Sequence, residues 1–217
     1  RFAAKHAECM FIVDSRRSLT GAASVISDVR SQAVRNGRRP EDIQFFQGLS
    51  PVVGGTEAEA KVKEAEYLEQ FSTEGALAHL SGSIGIDLSD IDLDQPLKSI
   101  DTRSMRGMVK GLIESTPDQT QTFRDLIRTR NAGQFLTGSP EQIADALQDW
   151  QKAGVDGFNL IYSVTPGTFV DFIEGVVPIL QQRGLMQKEY APGPLREKIF
   201  GDARLPGRHP GAGWRPG

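Results

Sequence analysis

Short apolar runs alternate with longer amphipathic stretches along this chain, and that alternation predicts strand-then-helix units. Residues 2–8 carry a first helical pattern, followed by the apolar run Cys9-Met10-Phe11-Ile12-Val13, which reads as a buried strand that polar Asp14-Ser15 ends. Leu19, Ala22, Ile26, Val29 and Ala33 then recur at helical spacing, so a single stripe faces a core until Asn36-Gly37 stops the helix. The pattern repeats at Ile43-Gln44-Phe45-Phe46-Gln47, a strand bounded by Pro40 and Gly48 and followed by a Gly- and Pro-containing loop at 49–55. Thr56 with Glu59 makes a capping box, and the helix it opens places Ala58, Val62, Ala65 and Leu68 on one face.

A third unit begins at Gln134-Phe135-Leu136-Thr137 and ends at Gly138. Ser139-Pro140-Glu141-Gln142 then supplies Ser at the N-cap, Pro at N1 and Gln at N3, a strong helix start. Ile143, Leu147 and Trp150 line the buried face of that helix, and Gly154 closes it. The fourth strand is Gly157-Phe158-Asn159-Leu160-Ile161-Tyr162. The fourth helix starts near Thr168, turns Phe169, Phe172, Val176 and Leu180 inward, is capped by Gly184, and should kink at Pro178.

Strand–helix units in series require parallel pairing with right-handed crossovers. Apolar strands of this kind predict a sheet covered on both faces, as in a barrel or a doubly wound α/β fold. Residues 72–132 interrupt the rhythm as an insertion with helical stretches at 105–114 and 122–130, too long for a plain loop. Residues 201–217, rich in Gly, Pro and Arg, are expected to be a disordered tail.

Composition narrows the function more than the fold. The formal net charge is -3, and the basic clusters at Arg16-Arg17 and 35–39 are short and separated, so no nucleic-acid footprint is expected. No run is long and apolar enough for a membrane span, and no apolar stretch makes the N-terminus a secretory signal. The single Cys9 fits a reducing cytoplasm. Asp90-Ile91-Asp92-Leu93-Asp94 imitates the opening of a calcium-binding loop, but Gln95-Pro96 stands where the turn needs Gly and Asp101 where Glu belongs, so an acidic loop is expected. His6, His79 and His209 are too dispersed for zinc. Ser81-Gly82-Ser83-Ile84-Gly85 lacks the first glycine of a nucleophile elbow, and the common nucleotide-binding glycine motifs are absent. His6 reads either as a catalytic base or as a helix histidine bonded to a neighbour.

Several stretches, in order from residue 1 to about 200, resemble one family. They include Phe2-Ala3-Ala4-Lys5-His6-Ala7-Glu8, Leu49-Ser50-Pro51-Val52-Val53-Gly54, Gly85-Ile86-Asp87-Leu88-Ser89 and Asp92-Leu93-Asp94-Gln95-Pro96-Leu97. Thr122-Phe123-Arg124-Asp125-Leu126, the run Gly138-Ser139-Pro140-Glu141-Gln142-Ile143, Asp156-Gly157-Phe158-Asn159-Leu160 and Leu195-Arg196-Glu197 continue the series. Together they resemble the luciferase-like, flavin-dependent monooxygenases, in the branch of nitrilotriacetate monooxygenase, pristinamycin synthase and dibenzothiophene-sulfone monooxygenase. The resemblance implies that residues 1–200 are the C-terminal half, strands five to eight, of a (β/α)8 TIM barrel with a long helical insertion before the seventh strand. It implies FMN, reduced by a separate flavin reductase, which reacts with O2 at C4a so that the peroxide oxidises a small organic substrate.

In that family a Gly/Ser-rich turn before the Phe-Ala-Ala segment holds the flavin phosphate, so this turn is expected upstream of Arg1. Arg103-Ser104-Met105-Arg106 stands where relatives carry a Gln-Ser pair near the pocket, a departure at the substrate contacts. Barrel enzymes place their sites at the C-terminal ends of strands, which nominates Asp14, Gln47, Gly138, Ser139 and Tyr162 as pocket-wall residues. None is an evident acid, base or nucleophile, and the N-cap role of Ser139 accounts for it without a site. Half a barrel has open edges, so the missing N-terminal half or a homo-oligomer is the expected partner, and the isolated chain is expected to be inactive. The alternatives are a non-catalytic remnant or interaction module, and a deazaflavin-dependent oxidoreductase of the same superfamily.

Overall fold

The computed structural model describes residues 1–12, 18–84, 87, 92–99, 118, 120–132 and 135–214. They form two compact units, Arg1–Lys61 with Leu136–Gly217, and Val62–Phe135. In the first unit α1 (Phe2–His6), β1 (Cys9–Ile12), α2 (Leu19–Arg35) and β2 (Gln44–Val53) follow in order, and α3 (Glu57–Glu69) begins. The second unit holds α4 (Thr73–Ile84) and α5 (Phe123–Ala132), and β3 (Phe135–Gly138) returns the chain to the first. There α6 (Pro140–Lys152), β4 (Gly157–Leu160), α7 (Gly167–Asp171), a π-helical turn (Phe172–Val176), α8 (Val177–Gln182) and α9 (Leu195–Phe200) complete the order.

The fold is α/β with a parallel sheet, and β2 is its organising strand. Cys9 to Ile12 pair in parallel with Gln44 to Gln47, while Gly157 to Leu160 pair in parallel with Phe46 to Leu49. β3 also lies beside β2, and the Gly54 N–H donates to the Gly138 carbonyl at 3.2 Å. A sequential barrel would put β3 between β2 and β4. Here β3 has only four residues beside the far end of β2, and β4 takes the edge at Phe46 to Leu49.

Strand parity sends Phe45 and Leu49 to the face that the helices cover. Ile12, Ala22, Ile26, Ala33, Ile43, Phe45, Trp150 and Val155 form one buried cluster there. Leu49, Val53, Ile143, Ala144, Leu147, Phe172, Val176 and Leu180 form a second. Burial of each large side chain stabilises the unit by about 1.5–3 kcal/mol relative to exposure. The opposite face is not covered as the sequence predicts: Phe11 is 47% exposed and Ile161 is 46% exposed.

The helix periodicities hold at α2 and α6. Ala22, Ile26 and Ala33 are buried on α2, whose start is capped by Ser18 Oγ accepting from the Gly21 N–H at 3.0 Å. Ser139 and Gln142 make the predicted reciprocal box on α6, and Gly154 ends it at a φ of 102°. Pro178 acts one turn early. Lacking an N–H, it cannot bond the Glu174 carbonyl, and the chain widens into the π turn, where the Val177 N–H reaches the Phe172 carbonyl.

Three expectations are corrected. The loop at 49–55 is strand as far as Val53, because Leu49, Pro51, Val52 and Val53 are buried rather than solvated. On α3 the stripe Ala58, Val62 and Ala65 is exposed, and Ala60 is the buried residue, packed beneath Gly54. The tail is not featureless: a 3-10 turn spans Pro210–Gly213, and Arg208 is ion-paired with Asp42.

In the second unit Leu77, Leu97, Phe123, Leu126 and Ile127 are buried. Thr122 and Asp125 cap α5 reciprocally, with the Thr122 N–H on Asp125 Oδ2 and the Asp125 N–H on Thr122 Oγ1, both at 3.1 Å. Arg124 bonds both oxygens of Asp94, at 2.8 and 3.3 Å, which holds that carboxyl below the usual carboxylate range. The helical stretch expected at 105–114, the Arg103-Ser104-Met105-Arg106 departure, and Asp90-Ile91 lie outside the described residues.

Candidate active site

At the C-terminal ends of the strands the chain leaves β2 at Gly54, β3 at Gly138 and β4 at Leu160. Glycine shapes the first two exits. A Cβ on Gly54 would lie 2.3 Å from the Ala60 amide nitrogen, so only glycine lets the first turn of α3 close over the strand end. A Cβ on Gly138 would meet Gln142 Oε1 at 2.9 Å, the atom that accepts the Ser139 N–H. Gln142 Nε2 in turn donates to Glu57 Oε2 at 2.9 Å, and Lys61 pairs with the same carboxylate. The Lys61 ammonium first, and Gln142 second, hold Glu57 below the usual carboxylate range. The rim therefore carries the Glu57 carboxylate, tied to Lys61 and Gln142.

The third exit is set by one hydroxyl. Buried Thr168 Oγ1 accepts from the Ser163 N–H at 3.2 Å and the Val164 N–H at 3.1 Å, which turns the chain after β4 back into α7. Tyr162, on this turn, is 59% exposed, with its ring centroid 5.8 Å from that of Phe169.

Below the rim lies the open face of the sheet. The Phe11 ring and Ile161 Cδ1 would sit 3.0 and 3.2 Å from a Cβ on Gly48, and the Phe46 ring 2.7 Å from one on Gly157. Two glycines thus let three apolar side chains lie flat across neighbouring strands, a shallow apolar floor beneath a polar rim.

The four nominated residues that the structure describes do not converge. Gly138 and Ser139 stand at the rim, the first buried and the second committed to its capping box. Tyr162 stands at the rim beside Phe169. Gln47 lies instead on the helix-covered face, between Ile12 and Phe158 in register, with Nε2 on the Gly48 carbonyl at 3.2 Å. Strand parity excludes it from the floor. Asp14 lies outside the described residues. Glu57, Gln142 and Thr168 were missed; the adjacent capping motifs at Thr56 and Ser139 were the signal for the first two. Among the described residues no cluster of three metal-ligating side chains occurs.

A family model, luciferase-like monooxygenase, matches residues 1–157. The chain belongs to the luciferase-like monooxygenase family. Dimethyl-sulfide monooxygenase of Hyphomicrobium sulfonivorans is 40% identical over 221 residues, 99% of this chain and 46% of that protein; its crystal structure superposes with a TM-score of 0.82. Long-chain alkane monooxygenase of Geobacillus thermodenitrificans is 38% identical, covers 99% of this chain and 45% of its own length, and superposes with a TM-score of 0.74. A riboflavin lyase, solved with modified FMN and riboflavin, is 30% identical over all of this chain and 48% of its own, at a TM-score of 0.76. A pristinamycin IIA synthase, a nitrilotriacetate monooxygenase and a dibenzothiophene-sulfone monooxygenase are relatives too, as the sequence motifs imply. The chain spans about half the length of the curated relatives it matches.

Proposed function

We propose that this chain contributes the C-terminal half, barrel strands five to eight, of a two-component monooxygenase that works in the cytoplasm with FMN reduced by a separate flavin reductase. One observation carries the reading: the family likeness spans nearly all of this chain but half of each relative, and the chain's own sheet has a half-exposed apolar face at Phe11 and Ile161. Such a face in a barrel is interior, and the N-terminal half is the partner that covers it.

The described residues do not fit a complete FMN site. They offer an apolar floor suited to a planar ring, yet Lys61 at the rim is already paired with Glu57, and among the described residues no cationic cradle for a phosphate stands there. Phe11, Phe46 and Ile161 would flank the flavin ring, and reduced FMN would supply the two electrons that reduce one oxygen atom of O2 to water as the other passes to the substrate. In a complete barrel this chain's residues would wall the reaction space: Phe11, Phe46 and Ile161 would exclude water from the floor once the N-terminal half covers them, and Thr168 fixes the turn that presents Tyr162 at the rim. No described side chain there is placed as an acid, base or nucleophile, so the substrate is selected by shape and apolarity. A small apolar sulfide or alkane suits this floor, in keeping with the names of the two relatives described above.

The test is turnover of dimethyl sulfide and of an alkane with photoreduced FMN and O2. We expect none from this chain alone and oxygenated product once an N-terminal half is supplied in trans. Turnover by the chain alone refutes the half-barrel reading. No turnover in either arm, with the halves demonstrably associated, refutes the oxygenase reading and leaves a non-catalytic remnant.

A further inference from the structure

The N-terminal ends of β1 and β2, opposite the rim, carry a charge cluster that the proposed function does not use. Arg38 is buried and donates to the carbonyls of Ala4, Ala7 and Asp42 at 3.1, 2.7 and 2.9 Å, tying α1 to the entrance of β2. Asp42 accepts the Arg39 N–H and the Arg39 side chain, both at 3.1 Å. Onto this base folds the segment 195–214. Arg196 makes a two-pronged pair with Glu8, at 2.6 and 2.7 Å, and Arg208 pairs with Asp42.

None of the segment's described residues is buried. No residue of α9 is buried, in contrast to four on α6. Leu205 and Pro206 are only half-buried. Two clefts remain beneath the segment, one of about 260 Å³ lined largely by charged side chains around Asp42 and Arg196, and one of about 170 Å³ between Pro206, Arg208, Lys5 and Arg38. The pairing is also uneven. Arg38, Arg39 and Arg208 gather around Asp42, so Arg208 joins a site already rich in positive charge, and its own side chain is 45% exposed. Asp42 itself is 6% exposed, and Arg196 and Glu8 are 21% and 20% exposed, so salt reaches the Arg208 end of the segment more readily than the Arg196 end and leaves the Ile43 and Phe45 core beside them untouched.

We propose that residues 195–214 form an ionic strap, latched by Arg196 on Glu8 and Arg208 on Asp42, that opens as a unit while the sheet stays folded. The strap is independent of the oxygenase reading and stands or falls on the chain's own contacts. Its opening uncovers Glu8, Asp42 and the strand entrances without disturbing the helix-covered core.

Amide hydrogen exchange on the full chain tests this, comparing wild type with Arg196→Gln, Arg208→Gln and the double variant at low salt and at about 0.5 M NaCl, where the screening length falls to roughly 4 Å. Both substitutions lie on the strap and leave the Arg38 and Arg39 bonds in place. Each is expected to speed exchange across 195–214 about fivefold, and salt to speed it similarly in wild type but little in the double variant. Exchange within 44–53 should stay within about twofold of wild type. Strap exchange indifferent to both salt and substitution overturns the proposal, because apolar contacts would then hold the segment. Equal acceleration in the strap and in 44–53 overturns it as well, because the segment would then open only with the whole unit.

Discussion

Gly54→Ala tests the construction of the rim directly. The added methyl would stand 2.3 Å from the Ala60 nitrogen, 2.8 Å from the Ala60 Cα and 2.8 Å from the Glu59 carbonyl carbon. All three are backbone atoms of the first turn of α3, so no side-chain rotation relieves the clash. Ordinary contact at about 3.4 Å or more requires the turn to move by roughly 1 Å. That movement loosens the bond from the Glu59 N–H to Thr56 Oγ1 at 3.2 Å and the strand contact from the Gly54 N–H to the Gly138 carbonyl. Overpacking of this kind costs about 1–3 kcal/mol. The neighbouring Gly55→Ala is the control, since its methyl would meet only the flexible carboxylate of Glu59 at 2.8 Å and should cost within about 0.5 kcal/mol. Urea unfolding followed by circular dichroism measures both. Equal midpoints for the two variants would refute the close approach of α3 to β2.

Two further predictions concern the first unit. Phe172→Ala removes a ring that is 6% exposed within the second core cluster and should lower stability by about 3–5 kcal/mol in the same urea assay. Glu8 is held below the usual carboxylate range chiefly by Arg196, and Asp42 too is held below it, where burial is outweighed by Arg39 and Arg208. Depressed carboxylates contribute stability that is fully present above about pH 4–5 and is lost as pH falls through their lowered values. The charges facing them are Arg196, Arg38 and His209 for Glu8, and Arg39, Arg38 and Arg208 for Asp42. Unfolding free energy measured downward from about pH 6 should therefore decline in wild type and decline less steeply in Glu8→Gln; a steeper decline in the variant contradicts the assigned pairing.

The sequence made some elements legible and hid others for physical reasons. The α6 stripe was readable because Ile143, Leu147 and Trp150 recur at helical spacing, and that of α2 because Ile26 stands between Ala22 and Ala33 on one buried face. On α3 the small residues Ala58, Ala60 and Ala65 mark no face, and contact with Gly54 decided that Ala60 turns inward. Gly48 and Pro51 read as loop punctuation, yet Gly48 makes room for Phe11 and Ile161 within a strand. The tail reads as solvated Arg, Gly and Pro until a partner 166 residues away is known for Arg208. Gln47 shows the same limit at the site: alternation puts it with Phe45 and Leu49, but which face the helices cover is a tertiary fact. The family motifs were more informative than any single candidate residue, because they record spacing over the whole chain rather than one side chain's chemistry.

The central claim, that this chain supplies walls while the other half of the barrel grips the flavin, is tested most directly by FMN titration. Flavin fluorescence should be followed under oxidising and reducing conditions, with this chain alone and with barrel strands one to four supplied in trans. The account predicts no saturable binding to the chain alone and saturable binding after complementation, weakened when Phe11→Asp disrupts the apolar floor. Saturable FMN binding by the chain alone, unaffected by that substitution, would contradict it.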